Sequence, residues 1–140
     1  EQLPIIFPMH PRTRNNIEKF GISLNNVKVV EPLGYLEFNY LVQHAKGVVT
    51  DSGGITEETT VMGVPCMTLR TTTERPETCT IGTNELLGTD PKTLEDALQV
   101  LFSGNWKKGS IPEKWDGKTA ERMVDVLLKL DYSKGNAVAQ

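Results

Sequence analysis

Short apolar runs alternate with amphipathic segments along most of the chain. Leu3 to Met9 is a compact apolar run that ends in His10-Pro11, and it reads as a buried strand with its C-terminal edge at those two residues. Pro11 suits the first position of a helix, for which Ile17 and Phe20 supply the apolar contacts and Gly21 the stop. Val27 to Val30 reads as a second strand, turned by Asn25-Asn26, and Glu31-Pro32-Leu33-Gly34 breaks the pattern. From Tyr35 to Ala45, Leu36, Tyr40 and Leu41 recur at helical spacing; Lys46-Gly47 closes that helix and Val48-Val49-Thr50 is a third strand. A helix over Ile55 to Met62, stopped by Gly63, leads to a fourth strand at Pro65 to Leu69. A long polar loop, Arg70 to Thr80, precedes a short strand at Asn84 to Leu87. Asp90-Pro91 opens a helix that runs to about Phe102 with Leu94, Ala97, Leu98 and Leu101 on one face. Ser103 to Lys118 is a connection in which Trp106 and Trp115 are packing residues. Thr119 to Leu130 is a last amphipathic helix, and residues 131–140 read as a frayed tail.

Strands alternating with helices on short loops predict an α/β domain with a mostly parallel sheet and helices on both faces. In such a fold the ligand lies outside the C-terminal ends of the strands. Four of those edges carry polar residues: His10 to Arg14, Gly34 to Phe38, Asp51 to Glu58, and Arg70 to Glu77. The sharpest is Thr50-Asp51-Ser52-Gly53-Gly54-Ile55, a strand handed through two glycines into a helix. Ser52 offers a hydroxyl, and Gly53 and Gly54 have no Cβ, so backbone N–H groups can approach an anion closely. Glu58 falls about one turn inside the helix, where a pyrophosphate would repel it but a ribose diol would suit it. By itself the turn is equally an ordinary strand–helix junction, with Ser52 or Asp51 as cap and the glycines as turn residues. Four polar loops at strand edges favour the nucleotide phosphate.

Composition narrows the partners. The chain has 140 residues, 38% hydrophobic and 24% charged, with a net charge of −3, enough for roughly one domain with a real core. Without a basic excess it offers no extended nucleic-acid surface, so a nucleotide would be held by a few placed Arg or His residues. The two cysteines, Cys66 and Cys79, suggest a reducing compartment, and no zinc-like spacing is present. There is no apolar stretch of membrane-spanning length and no signal-peptide pattern, so no membrane partner and a cytoplasmic location are expected. The sequence begins with Glu1 rather than Met and enters a strand almost at once, as a piece of a longer protein would.

Four blocks carry a close resemblance to the C-terminal half of the non-hydrolysing UDP-N-acetylglucosamine 2-epimerases. They are Pro8-Met9-His10-Pro11-Arg12-Thr13, Tyr35-Leu36-Glu37-Phe38, Thr50 to Glu58, and Arg70-Thr71-Thr72-Thr73-Glu74-Arg75-Pro76-Glu77. Gly82-Thr83-Asn84, Leu87-Gly88 and Asp116-Gly117 follow in order, so the likeness covers nearly the whole chain. Thr56 stands where many members carry Gln, and Thr59-Thr60 replace small or Pro residues.

The resemblance implies a GT-B-type fold of two Rossmann-like domains with substrate in the cleft, this chain being the C-terminal, UDP-holding one. It implies interconversion of UDP-GlcNAc and UDP-ManNAc by elimination and re-addition of UDP, with no cofactor and no metal. Carried over by position, Ser52 and Gly53 contact the diphosphate, Gly54 permits the approach, Glu58 binds the ribose, and Phe38 lies near the uracil. His10 and Arg12 face the phosphate or sugar, though for His10 a helix-start hydrogen bond is an equal reading. Arg75 balances phosphate charge as UDP leaves; its plainer alternative is a loop-fixing salt bridge to Glu74 or Glu77. Glu57 reads as a solvated or helix-start carboxylate, His44 as a surface residue, and Asp116-Gly117 as a turn before a last helix that crosses toward the other domain. The acid–base carboxylates of the family lie in its N-terminal half, so this piece is expected to bind UDP weakly and not to epimerise by itself. The implied partners are that N-terminal domain and, for the full-length enzyme, a second copy in a homodimer. Three other readings share the phosphate turn: a GT-B glycosyltransferase, a hydrolysing epimerase, and a non-catalytic UDP-sugar-binding module. The Thr-Glu-Arg-Pro-Glu block argues against the transferase.

Overall fold

The computed structural model describes residues 3–130. Strand β1 (Ile5–Pro8) and strand β2 (Val27–Val30) pair in parallel, Ile5 opposite Val27 and Pro8 opposite Val30. Helix α1 (Pro11–Lys19) joins them. Its start is set by Pro11 at the first helical position and by His10, whose Nδ1 accepts the Arg12 N–H at 3.2 Å. Its end is set by Gly21 in the left-handed region (φ 62°). Helix α2 (Tyr35–Gln43) follows β2, and the Glu37 carboxylate reaches back to accept the Gly34 N–H at 3.0 Å. These elements make up one compact unit, Glu1–Ala45.

The second unit, Lys46–Gln140, holds a three-stranded parallel sheet in the order β3 (Val48–Thr50), β4 (Cys66–Thr68), β5 (Asn84–Leu86). Helix α3 (Gly53–Met62) connects β3 to β4, and α4 (Pro76–Thr80) lies between β4 and β5. Helices α5 (Pro91–Phe102) and α6 (Thr119–Lys129) complete it. All three residues of the central strand are buried. Around Cys66, Met67, Val64 and Leu101 the core is unusually polar, with Thr56, Thr59, Thr60, Thr78, Thr83 and Asn84 all buried. It tolerates them because the α3 hydroxyls bond back to their own helix: Thr56 to the Gly53 carbonyl (2.6 Å), Thr59 to Ile55 (3.0 Å) and Thr60 to Thr56 (2.8 Å).

Several expectations are corrected. The strands form two parallel sheets, not one. Phe20 is 69% exposed and Leu36 81%, so neither is a packing residue of its helix; in α2 only Val42 is buried. Leu36, Tyr40 and Leu41 instead line an open apolar groove with Ile6, Val30 and Leu33. The loop over Arg70 to Thr80 contains α4, a five-residue helix too short and too polar to show an apolar period. Helix α3 begins at Gly53, two residues ahead of the expected Ile55. Trp106 is half-buried and donates its Nε1–H to the Thr83 carbonyl at 2.8 Å. Asp116 precedes the last helix as expected, accepting from the Lys118 N–H (3.0 Å) and from Arg122 (2.6 Å). The tail expected over 131–140 lies outside the described residues. Helix α6 buries no side chain, leaving Met123, Val124, Leu127 and Leu128 exposed. Among the described residues no helix is long and apolar enough to cross a membrane.

Candidate functional site

In the second unit the sheet delivers its polar residues to the C-terminal ends of β3 and β4. Just past β3 the chain turns where Thr50 Oγ1 accepts the Ser52 N–H at 3.0 Å. Ser52 occupies the N-cap position of α3 (φ −88°, ψ 128°), yet its side chain makes no capping bond. The hydroxyl is therefore unspent, and the N–H groups of Gly53, Gly54 and Ile55 have no partner inside the helix. Neither Gly53 nor Gly54 has a positive φ, so backbone conformation does not demand glycine there. Nor does space: a Cβ at Gly54 would meet nothing within 4 Å, and one at Gly53 only the Arg70 Nη1 at 4.0 Å. The glycines keep open ground over a row of free amides at the positive end of a helix dipole, with a guanidinium beside it. Of the ordinary-junction reading, Ser52 is the N-cap residue, though without a side-chain cap bond, and neither glycine has a positive φ.

Glu58 stands four residues after Gly54 on the same helix face. Helical side chains lean toward the N-terminus, and four residues rise only about 6 Å, so the side chain-free Gly54 leaves the way to the open end clear. Glu58 is half-buried and has no ion pair or hydrogen bond among the described residues. Glu57, by contrast, is paired. Arg75 Nε lies 2.9 Å from its Oε1, both side chains being substantially exposed. Glu57 is thus the partner in place of Glu74 or Glu77, the carboxylates of the plainer alternative for Arg75, and Glu57, read as a solvated or helix-start carboxylate, is paired. Arg75 is the N-cap of α4, its N–H accepted by Thr73 Oγ1 at 3.1 Å and its carbonyl accepting from Thr78 Oγ1 at 2.8 Å. Ser52, Gly53, Gly54, Glu58, Arg70 and Arg75 thus share one unit and lie on the segments that follow β3 and β4. Arg70 is the residue the sequence reading passed over; its signal was its position directly after the strand.

In the first unit, His10 and Arg12 follow β1 and Phe38 lies in the first turns of α2 after β2. His10 is committed to the cap through Nδ1, so its ring proton sits on Nε2. Arg12 is exposed, Phe38 is half-buried, and the neighbouring Arg14 pairs with Glu31 at 2.6 Å. Among the described residues no group of three or more His, Cys, Asp or Glu could hold a metal ion. Of the two free thiols in the second unit, the buried Cys66 is pushed above its ordinary range by desolvation.

Against protein families, the model described as UDP-N-acetylglucosamine 2-epimerase matches residues 1–128. The chain belongs to that family. A UDP-N-acetylglucosamine 2-epimerase of Methanocaldococcus jannaschii is 41% identical over 130 residues, 88% of this chain and 34% of the relative. A UDP-2,3-diacetamido-2,3-dideoxy-D-glucuronate 2-epimerase of Pseudomonas aeruginosa is 47% identical over 127 residues, 91% of this chain and 35% of the relative. Among solved structures, the M. jannaschii epimerase in complex with UDP-GlcNAc and UDP superposes with a TM-score of 0.73 at 40% identity, covering 89% of this chain and 35% of that one. This chain of the epimerase family therefore spans about a third of the length of these relatives. Its α/β architecture of parallel sheets and helices is that of one Rossmann-like half of a GT-B-type enzyme.

Proposed function

We propose that this chain is the UDP-holding domain of an epimerase that interconverts UDP-GlcNAc and UDP-ManNAc by elimination and re-addition of UDP. The observation that carries the reading is the unsatisfied, unobstructed start of α3, where Ser52, Gly53 and Gly54 stand at the end of a strand with Arg70 alongside. A proton on C2 of the sugar is not acidic. Departure of UDP with oxocarbenium character at C1 lowers the barrier to its removal, and UDP must then be retained until it adds back. Free amides and a hydroxyl can hold the diphosphate oxygens without proton transfer. Arg75 supplies charge as the leaving group takes on electrons. Glu58 accepts hydrogen bonds from the ribose diol and Phe38 stacks on the uracil. His10, through its Nε2–H, and Arg12 face the phosphate or sugar. The carboxylates for acid–base work at C2 and C3 belong to the N-terminal domain of the same enzyme. That domain and a second copy in a homodimer are its protein partners, the exposed apolar face of α6 supporting a partnered last helix. The isolated chain binds UDP weakly and does not epimerise.

The likeness to the P. aeruginosa enzyme favours one second reading, in which the same UDP grip serves a diacetamido-uronate sugar. The test is turnover of both UDP-sugars by the full-length enzyme with no acceptor, joined to titrations with UDP and uridine. We expect epimerised UDP-GlcNAc. Glu58→Ala should weaken UDP and uridine alike by about 10- to 100-fold, and Ser52→Ala should weaken UDP alone by roughly 5-fold. Sugar transfer only when an acceptor is supplied, or UDP binding indifferent to both substitutions, would overturn the reading.

A further inference from the structure

The Gly82-Thr83-Asn84 block has no role in the site as described so far, yet it is among the most deeply buried stretches of the second unit. Asn84 is fully buried, and each end of its amide is engaged. Thr68 Oγ1 donates to Asn84 Oδ1 at 2.6 Å. Asn84 Nδ2 donates to Thr78 Oγ1 at 3.2 Å and to Cys79 Sγ at 3.4 Å. Thr78, fully buried too, spends its one proton on the Arg75 carbonyl at 2.8 Å, an oxygen much nearer than the Cys79 sulfur at 3.8 Å. The bonds run one way. The hydroxyl of Thr68, at the end of β4, orients the amide; the amide reaches a lone pair of Thr78; the Thr78 proton holds Arg75.

We propose that Asn84 and Thr78 are positioning residues for Arg75, joined in a buried hydrogen-bond relay that fixes its backbone and so the direction in which its guanidinium leaves the chain. The inference rests on the assignment of Arg75 to the leaving diphosphate made above. Helix α4 has only five residues, far too few to hold its own geometry, so its first turn needs an outside anchor. The anchor meets the backbone at Arg75 itself, the cap residue, and originates at β4, two residues before Arg70. Gly82 serves the same junction, because a Cβ there would overlap the Thr60 hydroxyl and stand 2.6 Å from the Thr78 carbonyl oxygen. A generic polar core would stabilise the fold without regard to Arg75. This relay ends on it.

The test uses the full-length enzyme and its epimerisation of UDP-GlcNAc. Thr78→Val keeps the shape and removes the hydroxyl. It should lower kcat about 10- to 100-fold with KM changed by no more than about 2-fold, since Arg75 acts as UDP departs. Thr78→Ser, which keeps the donor, should restore kcat to within about 2-fold. In an Arg75→Ala background the Thr78→Val effect should shrink below about 2-fold, as expected for residues acting through one another. If Thr78→Val does not fold, Thr78→Cys, with its weak S–H donor, takes its place and should give an intermediate kcat. The proposal is overturned if Thr78→Val retains full kcat, or if its loss is undiminished without Arg75. Should Arg75→Ala by itself leave turnover intact, the assignment of Arg75 falls and carries the relay with it. Impaired Arg75→Ala with an additive Thr78→Val sinks the relay alone.

Discussion

Glu57→Gln separates the ion pair seen between α3 and α4 from the binding role proposed for Arg75. The two charged groups are 2.9 Å apart, but the side chains are 54% and 39% exposed, so the pair contributes only about 0.2–1 kcal/mol to the fold. A diphosphate that draws on Arg75 must compete with that same carboxylate. Neutralising Glu57 removes the competition and also removes a like charge from the neighbourhood of the phosphates, which adds a few tenths of a kcal/mol within about one Debye length. The sum predicts UDP binding about 2- to 10-fold tighter, with stability changed by less than about 1 kcal/mol. Uridine, which lacks the phosphates, should bind as before. Isothermal titration of the full-length enzyme with both ligands, at low salt and near 1 M salt, reads the difference directly. The gain for UDP should fade at high salt, where screening reaches to about 3 Å, and should shrink to the like-charge contribution of a few tenths of a kcal/mol in an Arg75→Ala background. Equal shifts for UDP and uridine, or no shift for either, would mean that Arg75 does not meet the diphosphate.

Three further outcomes follow from single residues. Gly82→Ala should cost about 1–3 kcal/mol, because the added Cβ meets the Thr78 backbone oxygen at 2.6 Å and the backbone must move; an unshifted denaturant midpoint refutes it. His10→Asn should keep the α1 cap, so that thermal stability holds while His10→Ala loses about 1 kcal/mol. Turnover of His10→Asn should nonetheless drop by about 10-fold through loss of the Nε2–H; full activity would leave His10 a cap and nothing more. Burial raises the Cys66 thiol in the folded state, so as pH climbs past the ordinary thiol range the unfolded chain ionises first and stability falls. That contribution is fully present at neutral pH, and Cys66→Ala should flatten the decline measured toward about pH 10.

What could be read from the residues depended on the kind of signal each element sends. Four of the five strands were visible as short runs rich in apolar or β-branched residues bounded by Gly, Pro or Asn; β5 (Asn84–Leu86) is largely polar and was marked by the glycines on either side, and all five occur where expected. Helices α1 and α5 were visible through Pro11 and Asp90-Pro91, punctuation that physically sets a first turn. Helix α4 also has a proline, Pro76, at its first position, but Pro-Glu-Thr-Cys-Thr is too short and too polar to show a period, and the helix is held through Thr78 and Asn84. The partner of Arg75 was equally hidden. Glu74 and Glu77 are nearer in sequence, but Glu57, eighteen residues upstream, is the carboxylate that the α3–α4 packing brings to it. Exposure of Phe20 and Leu36 could not be read from spacing at all, since a helical period shows that one face is apolar and says nothing of what covers it.

The start of α3 is where local preference and structure disagree most, and the disagreement has a physical meaning. Gly53-Gly54-Ile55-Thr56-Glu57-Glu58-Thr59-Thr60 opens on two glycines, which cost up to about 1 kcal/mol each in a helix interior, and contains three threonines that favour other conformations. An alanine at either glycine would form the helix better and would meet no steric obstacle within 3.4 Å. Three buried hydroxyls bonded to their own helix, and the Glu57–Arg75 pair across to α4, help hold the segment in a conformation its sequence disfavours. A stretch that forgoes the better helix former where space allows it is under a demand other than stability. On the function proposed above, that demand is a diphosphate, which bare amides with open ground above them suit. A ligand that binds there only in the folded state would add its binding free energy to the stability of the unit.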